Sequence, residues 1–320
     1  MAIPIRKFGQ YVHIAVTSRG GKPVFSTDSL KVDFDVRHIE GWSRAKVSIT
    51  NLNPSTIRDI SNGDNYVTVK VRLHDSNESV IIDNMFISNA MEEKQVPQSV
   101  FNMFCYSKVR KDYLEEQVDV DVPNPSLRSA IKAVLRDAGF TGKYEYKQFP
   151  SQVLDYVPPR ANSKKQGSLI DVLRSMGEEN RFNVYTVGQK IVFMYRPTAE
   201  NVADTSLASG EGAIKLSTTN MRSNPKIGPA TLKVFSNLDP NIEPSSVLDI
   251  TNLLTIGTST SQAALEVAEN ILKDSVAGFS KYQAISVQHK GSNWTGEWST
   301  IAAATSPDKG TSMNVDNWWA

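Results

Sequence analysis

The feature that most narrows what this chain can fold into is a period of two in the hydrophobic residues of its first third. Leu30, Val32, Phe34 and Val36 alternate with Lys31, Asp33 and Asp35, and Val67, Val69, Val71 and Leu73 alternate with Thr68, Lys70 and Arg72. Successive side chains of a strand point to opposite faces, so this pattern buries one face and wets the other. Further strands are expected over 80–88 and 99–109. Between them Val47 and Ile49 lead into Asn51-Leu52-Asn53-Pro54, where Asn53 can cap and Pro54 can open a short helix through Ile60. Gly63-Asp64 then turns the chain back. Roughly six strands fit before residue 112, enough for a small antiparallel barrel or sandwich.

The character changes after Lys111. Pro125-Ser126 precedes Leu127, Ile131, Val134, Leu135 and Ala138 at helical spacing, with Gly139 as a stop. A second helix is expected over 168–179, apolar at Leu169, Val172, Leu173 and Met176. Two apolar runs, 182–185 and 190–194, flank Thr186-Val187-Gly188-Gln189 and predict a β-hairpin. A polar stretch, 198–211, reads as a linker or surface loop. Strands return over 230–235 and 247–251, a helix over 261–273, then strands over 282–288 and 297–303. The expected fold is mainly β with an α+β insert: two related antiparallel β domains, 1–112 and 198–304, flanking an α+β domain at 113–197, with a tail at 305–320.

An internal echo supports that arrangement. Val47-Ser48-Ile49-Thr50-Asn51-Leu52-Asn53-Pro54 resembles Lys233-Val234-Phe235-Ser236-Asn237-Leu238-Asp239-Pro240, a strand ending in Asn-Leu-Asn/Asp-Pro, with Ile57 or Ile242 shortly after. Asn or Asp caps the turn and Pro fixes it.

Composition excludes several functions. With Lys+Arg at 35 and Asp+Glu at 34 the formal net charge is +1, so the basic face that drives nucleic-acid affinity is missing. Cys105 is the only cysteine, which rules out an intramolecular disulfide and a cysteine-based zinc site. No run approaches the about 18 apolar residues of a membrane span, and no secretory leader is read at the start. His13, His38, His74 and His289 lie far apart, outside any two-histidine metal spacing. Gly41-Trp42-Ser43-Arg44-Ala45 lacks the second glycine of a nucleophile elbow and reads as a turn. No phosphate loop or dinucleotide fingerprint occurs, so no catalytic, cofactor-binding or metal residue is assigned. Asp119 and Asp121, like Asp33 and Asp35, place two carboxylates on one strand face, which reads as solvation before acid/base chemistry. All tryptophans but Trp42 lie at or beyond Trp294. Trp294, Trp298, Trp318 and Trp319 are therefore the candidate partner-binding residues, since tryptophan outside a core is enriched at interfaces.

The order of these features resembles the baseplate hub, or tail hub, proteins of long-tailed bacteriophages and related contractile injection machines. The likeness is carried by the strand pair opening at Ser29, the Val-Ser-Ile-Thr-Asn-Leu-Asn-Pro-Ser-Thr-Ile run from Val47, the stretch from Phe235 to Asp249 with its Leu-Asp-Pro-Asn-Ile-Glu-Pro, and a Val-Gln-His-Lys-Gly-Ser run followed by Gly-Glu-Trp-Ser-Thr. The resemblance implies two tube-like barrels per chain, a homotrimer presenting six barrels in a ring, and a structural role without enzyme activity. The implied partners are the tail tube protein, a separate spike protein and other baseplate proteins, with genome DNA passing through the lumen without sequence-specific binding. The implied place is the virion tail, assembled in the host cytoplasm. Two other readings stand beside it: a tail-tip cell-wall hydrolase using Asp119 and Asp121, and a carbohydrate-binding module using the four tryptophans.

Overall fold

The computed structural model describes residues 10–73, 77–95, 97–123, 125–157, 162–197, 210–228, 231–256, 280–296 and 298–306. The alternating stretches are strands. The first β region comprises β1 (Gln10–Ser18), β2 (Pro23–Thr27), β3 (Val32–Ile39), β4 (Trp42–Thr50), α1 (Pro54–Ser61), β5 (Asn65–Leu73), β6 (Ser79–Gln95) and β7 (Gln98–Tyr106). Val32, Phe34, Val36, Val47, Ile49, Val67, Val69, Phe101 and Met103 share one buried core. The Asn53 side chain accepts a hydrogen bond from the Ser55 amide at 2.9 Å, Pro54 opens α1, and Ile60 buries its one inward face.

After a single π-helical turn (Arg110–Leu114) the α+β segment runs β8 (Gln117–Pro123), α2 (Leu127–Asp137), β9 (Lys143–Lys147), α3 (Ser151–Asp155), β10 (Asn162–Ser168), α4 (Leu169–Asn180), β11 (Phe182–Val187) and β12 (Lys190–Tyr195). Ser126 and Ser168 cap α2 and α4 through the Ser129 and Asp171 amides. Both helices lay their predicted apolar faces, Ile131, Val134, Leu173 and Met176 among them, over Phe182 and Phe193. β11 and β12 form the predicted hairpin, β9 joins β12 in parallel, and β8 pairs β10 apart from them. Sequence reading missed β9, α3 and β10, which are short or carry few large apolar residues.

The last region contains β13 (Ile214–Lys215), β14 (Lys226–Gly228), β15 (Thr231–Asn237), β16 (Val247–Asp249), α5 (Thr251–Ile256), β17 (Lys281–Ser292) and β18 (Ser299–Thr305). Its core gathers Leu216, Leu232, Val234, Leu248, Tyr282, Val287 and Ala302. The helix expected over 261–273 and nearly all of the expected tail lie outside the described residues, as does most of the polar stretch from 198. Among the described residues no helix is long and apolar enough to cross a membrane.

One expectation needs correcting. Among the described residues neither β region closes into a barrel; both belong to one thirteen-stranded sheet. Its path is β14-β15-β18-β17-β3-β4-β7-β6-β5-β1-β2, with β16 on the free side of the first part of β17 and β13 on β16. The physical reason is the length of β17. Its first residues pair with β16, and the rest outruns that short strand and takes β3 as a partner.

Leu173 is fully buried where α4 meets the α+β core. Leu173→Ala is expected to cost about 2–5 kcal/mol of stability through a cavity at that site. Chemical denaturation of wild type and variant checks this; a loss below about 1 kcal/mol contradicts a single packed core there.

Candidate assembly interface

The seam between the two β regions is an antiparallel ladder from Val287↔His38 to Ser292↔Asp33. Side chains reinforce the backbone bonds. Gln288 donates to the Asp35 carboxylate at 2.6 Å, and Lys290 lies 3.8 Å from it. Asn293 donates to the Leu30 carbonyl at 2.7 Å and accepts from the Val32 amide at 2.9 Å, closing the end of the ladder. Gly291 stands opposite Phe34, and a Cβ on it would sit 2.4 Å from the Phe34 ring. That ring is held in turn by Trp298, edge to face at 5.8 Å. Trp298 and Leu238, from the last region, both pack in the first core.

A second set of contacts ties the α+β segment beneath this seam. In the Glu40-Gly41 turn between β3 and β4, Gly41 takes a φ of 79° and its amide donates to the Val184 carbonyl at 2.7 Å. His38 Nδ1 meets Ser43 Oγ at 2.7 Å, and Ser43 donates onward to the Thr186 carbonyl. His289 Nδ1 meets Thr300 Oγ1 at 2.9 Å, and Thr300 in turn accepts from the Asp239 amide. The two imidazoles stand 6.2 Å apart, and both are buried. Burial disfavours the charged ring and brings His38 down to about 4; for His289, burial and then the neighbouring His38 bring it to about 3. Both therefore act as neutral hydrogen-bonding groups.

Beside them lies a cleft of about 590 Å³ lined by His38, Asp83, Lys190, Glu243 and His289 among others. Several of its polar groups are engaged with one another: Lys190 bridges Glu145 and Glu243, each at 3.4 Å, and Gln189 reaches Asp83 at 3.3 Å. The cleft is thus the junction of three chain regions. Among the described residues no group of three or more His, Cys, Asp or Glu is placed to hold a metal ion.

The two β regions repeat one connectivity. In chain order β1, β3, β4, β5, β6 and β7 correspond to β13, β14, β15, β16, β17 and β18. The sheet order is β3-β4-β7-β6-β5-β1 in one and β14-β15-β18-β17-β16-β13 in the other. β6 carries an extra residue at Ser88 against β7, and β17 carries one at Ile285 against β18. From each bulge outward the rungs match. Ile87, Cys105, Ala45 and Val36 form a row in the first region, and Ala284, Ala304, Leu232 and Ile227 form it in the second. The echoed turns match as well: Asp239 accepts from the Asn241 amide at 3.0 Å as Asn53 does from Ser55. The copies differ in β13, which runs parallel to β16 where β1 is antiparallel to β5.

Of the residues singled out from sequence, Trp298 is a core residue, 2% exposed, its Nε1 donating to the Ser292 carbonyl at 2.6 Å. Trp294 is 42% exposed in the turn after β17. Trp318 and Trp319 lie outside the described residues. Asp119 and Asp121 are exposed on β8, with Lys164 3.6 Å from Asp119. Sequence reading missed the meeting of His38 and His289, because the mixed apolar and polar residues of β17 conceal that Tyr282 to His289 are all buried.

No family model matches the sequence, and no curated protein matches it. Solved structures do match in shape. A tail protein from Neisseria meningitidis MC58 superposes with a TM-score of 0.56 at 7% identity, covering 93% of this chain and 97% of that one. The 43 kDa tail protein of prophage MuSo2 from Shewanella oneidensis gives 0.53 at 7% identity, covering 92% and 98%. This chain has the fold of phage tail proteins. This chain is also similar to a chain of a Francisella PdpA-VgrG complex, with a TM-score of 0.56 at 8% identity over 95% of this chain and 54% of the matched chain.

Two outcomes follow for this tail-protein fold. Gly291→Ala is expected to destabilise the protein by about 1–3 kcal/mol, because Phe34 is pinned by Trp298 and cannot yield; thermal unfolding that leaves Tm unchanged contradicts a tight seam. The buried histidines set a pH dependence. The unfolded chain takes up protons below about pH 6.5, whereas the folded one does so only near 4 and 3. Stability is therefore full above pH 6.5 and falls as pH drops toward 4, by about 1.4 kcal/mol per unit for each histidine. The urea midpoint should drop more between pH 7 and pH 5 in wild type than in a His38→Asn/His289→Gln variant; equal drops contradict the burial of both rings.

Proposed function

We propose that this protein is a structural hub of a phage tail or related injection machine, a homotrimeric ring with pseudo-sixfold symmetry that joins a hexameric tail tube to a trimeric spike. The observation that carries the reading is the duplicated strand order: one chain holds two like sheet units joined edge to edge. Three such chains present six like units, the surface a hexameric tube needs, while the chain itself stays threefold toward a spike. Units at about 1–112 and 198–304 would form the ring, with 113–197 and the tail at 305–320 outside its repeat. The tail-protein fold supports the same reading.

In this role the partners are further copies of the chain, a tube protein, a separate spike protein and other baseplate proteins, with DNA passing through the lumen unread. The work is assembly, driven by burial of strand edges and apolar surface. No catalytic residue is invoked, and the protein would reside in the virion tail after assembly in the host cytoplasm. Trp294, exposed beside the end of the seam, is the tryptophan we assign to a partner contact.

Light scattering on the purified protein, alone and mixed with candidate tube and spike proteins, tests this. A mass of three chains in either setting is the expected result, with rings of six lobes in negative-stain images. A single-chain mass in every mixture overturns the hub.

A further inference from the structure

The repeat makes a specific demand on two strand edges that are open among the described residues. In the second unit, the part of β17 beyond its bulge is covered by β3, and Val287, Gln288, His289 and Ser292 are buried. The matching part of β6, beyond Ser88, runs from Ala90 to Gln95 with β7 on one side, while β5 stops opposite Phe86. Met91, Glu92, Glu93 and Lys94 are exposed there. The strand that matches β3 is β14, which ends the sheet path with β15 on one side. β6 and β14 stand seven places apart in that path. Each is an edge whose backbone donors and acceptors invite another strand.

We infer that the Ala90–Gln95 part of β6 pairs antiparallel with β14 of a second copy of this chain, in the register of the β17–β3 seam. The register follows from the matched rows. Val36 stands opposite His289, five residues past Ala284, so Ile227 stands opposite Glu92, five residues past Ile87. Asp35 opposite Lys290 becomes Lys226 opposite Glu93, and Arg37 opposite Gln288 becomes Gly228 opposite Met91. The charged rung keeps its complementarity with the signs exchanged: carboxylate and ammonium face each other in both seams, 3.8 Å apart in the one within the chain. The groove along this edge agrees. Asn53, Pro54, Glu92 and Lys94 line it, as Pro240 and His289, the matching turn and rung, line the cleft at the inner seam.

This pairing rests on the ring reading for its closure, but the two fail separately. Single variants Glu93→Cys and Lys226→Cys, and in parallel Glu92→Cys and Ile227→Cys, are mixed pairwise under mild oxidation and run on a denaturing gel. Two neighbouring rungs are used because one of them is the closer, non-hydrogen-bonded pair that a disulfide spans more readily. The wild-type Cys105 is buried, so wild-type protein serves as its own control. The expected result is a reducible band of two chains in a mixture that neither partner gives alone, and in the doubly substituted chain a ladder ending at three. A ladder running past three keeps the strand pairing and overturns the closed ring. A wild-type trimer whose mixtures never cross-link, or cross-link no more than the single variants alone, overturns the pairing and leaves the ring standing. A protein that stays single and never cross-links overturns both.

Discussion

The antiparallel ladder between β17 and β3 is the contact on which the rest of the architecture depends. β17 continues well beyond its short partner β16, and without β3 its outer half would present a row of unpaired amides and carbonyls along a buried strand. Such groups are costly away from water. Pairing with β3 satisfies them and fuses two sheet regions that lie more than 200 residues apart at this rung, as the hydrogen bond between Asn293 and Val32 records. Gly291 makes the fusion sterically possible because the Phe34 ring lies where a side chain would stand. Trp298 and Leu238 then fill the first core from the second region, so the interior of the first half is completed by the second.

The α+β segment is fastened to that seam and not to one half of it. Tyr185, Val187, Val192 and Met194 of the hairpin share a small apolar cluster with Ile285 and Ala303 of the second region. Gly41 and Ser43 of the first region bind the carbonyls of Val184 and Thr186 on the same hairpin. The histidines sit where these contacts meet, and their low basicity reflects their burial there. A junction of this kind restrains the angle between the two repeats, as the ring we propose would require.

Much of the local structure was legible beforehand. The Asn53-Pro54 start of α1, the serine caps of α2 and α4 and the two-residue turn at Gly188-Gln189 all depend on residues adjacent in the chain. The echo of Asn-Leu-Asn/Asp-Pro pointed to the repeat, and both leucines are buried, in one core and not two. The candidate site was less legible. Trp298 shares its residue type with Trp294, yet its indole is enclosed by Phe34 and Ser292 while Trp294 stays partly in solvent. His289, on a strand of mixed polarity, gave no sign that both faces of β17 would be covered.

By itself the sequence determined which face of the alternating strands of the first region is apolar, where α1, α2 and α4 start, and that one motif occurs twice. Those properties are set by side-chain periodicity and capping, which act over a few residues. Only the tertiary structure decided which strand edges meet and, among the described residues, that the two β regions form one sheet and not two closed barrels and that edges of β6 and β14 stay open. Edge pairing is made by backbone groups that nearly every residue carries alike, so the side-chain pattern fixes a strand's faces without naming its neighbour.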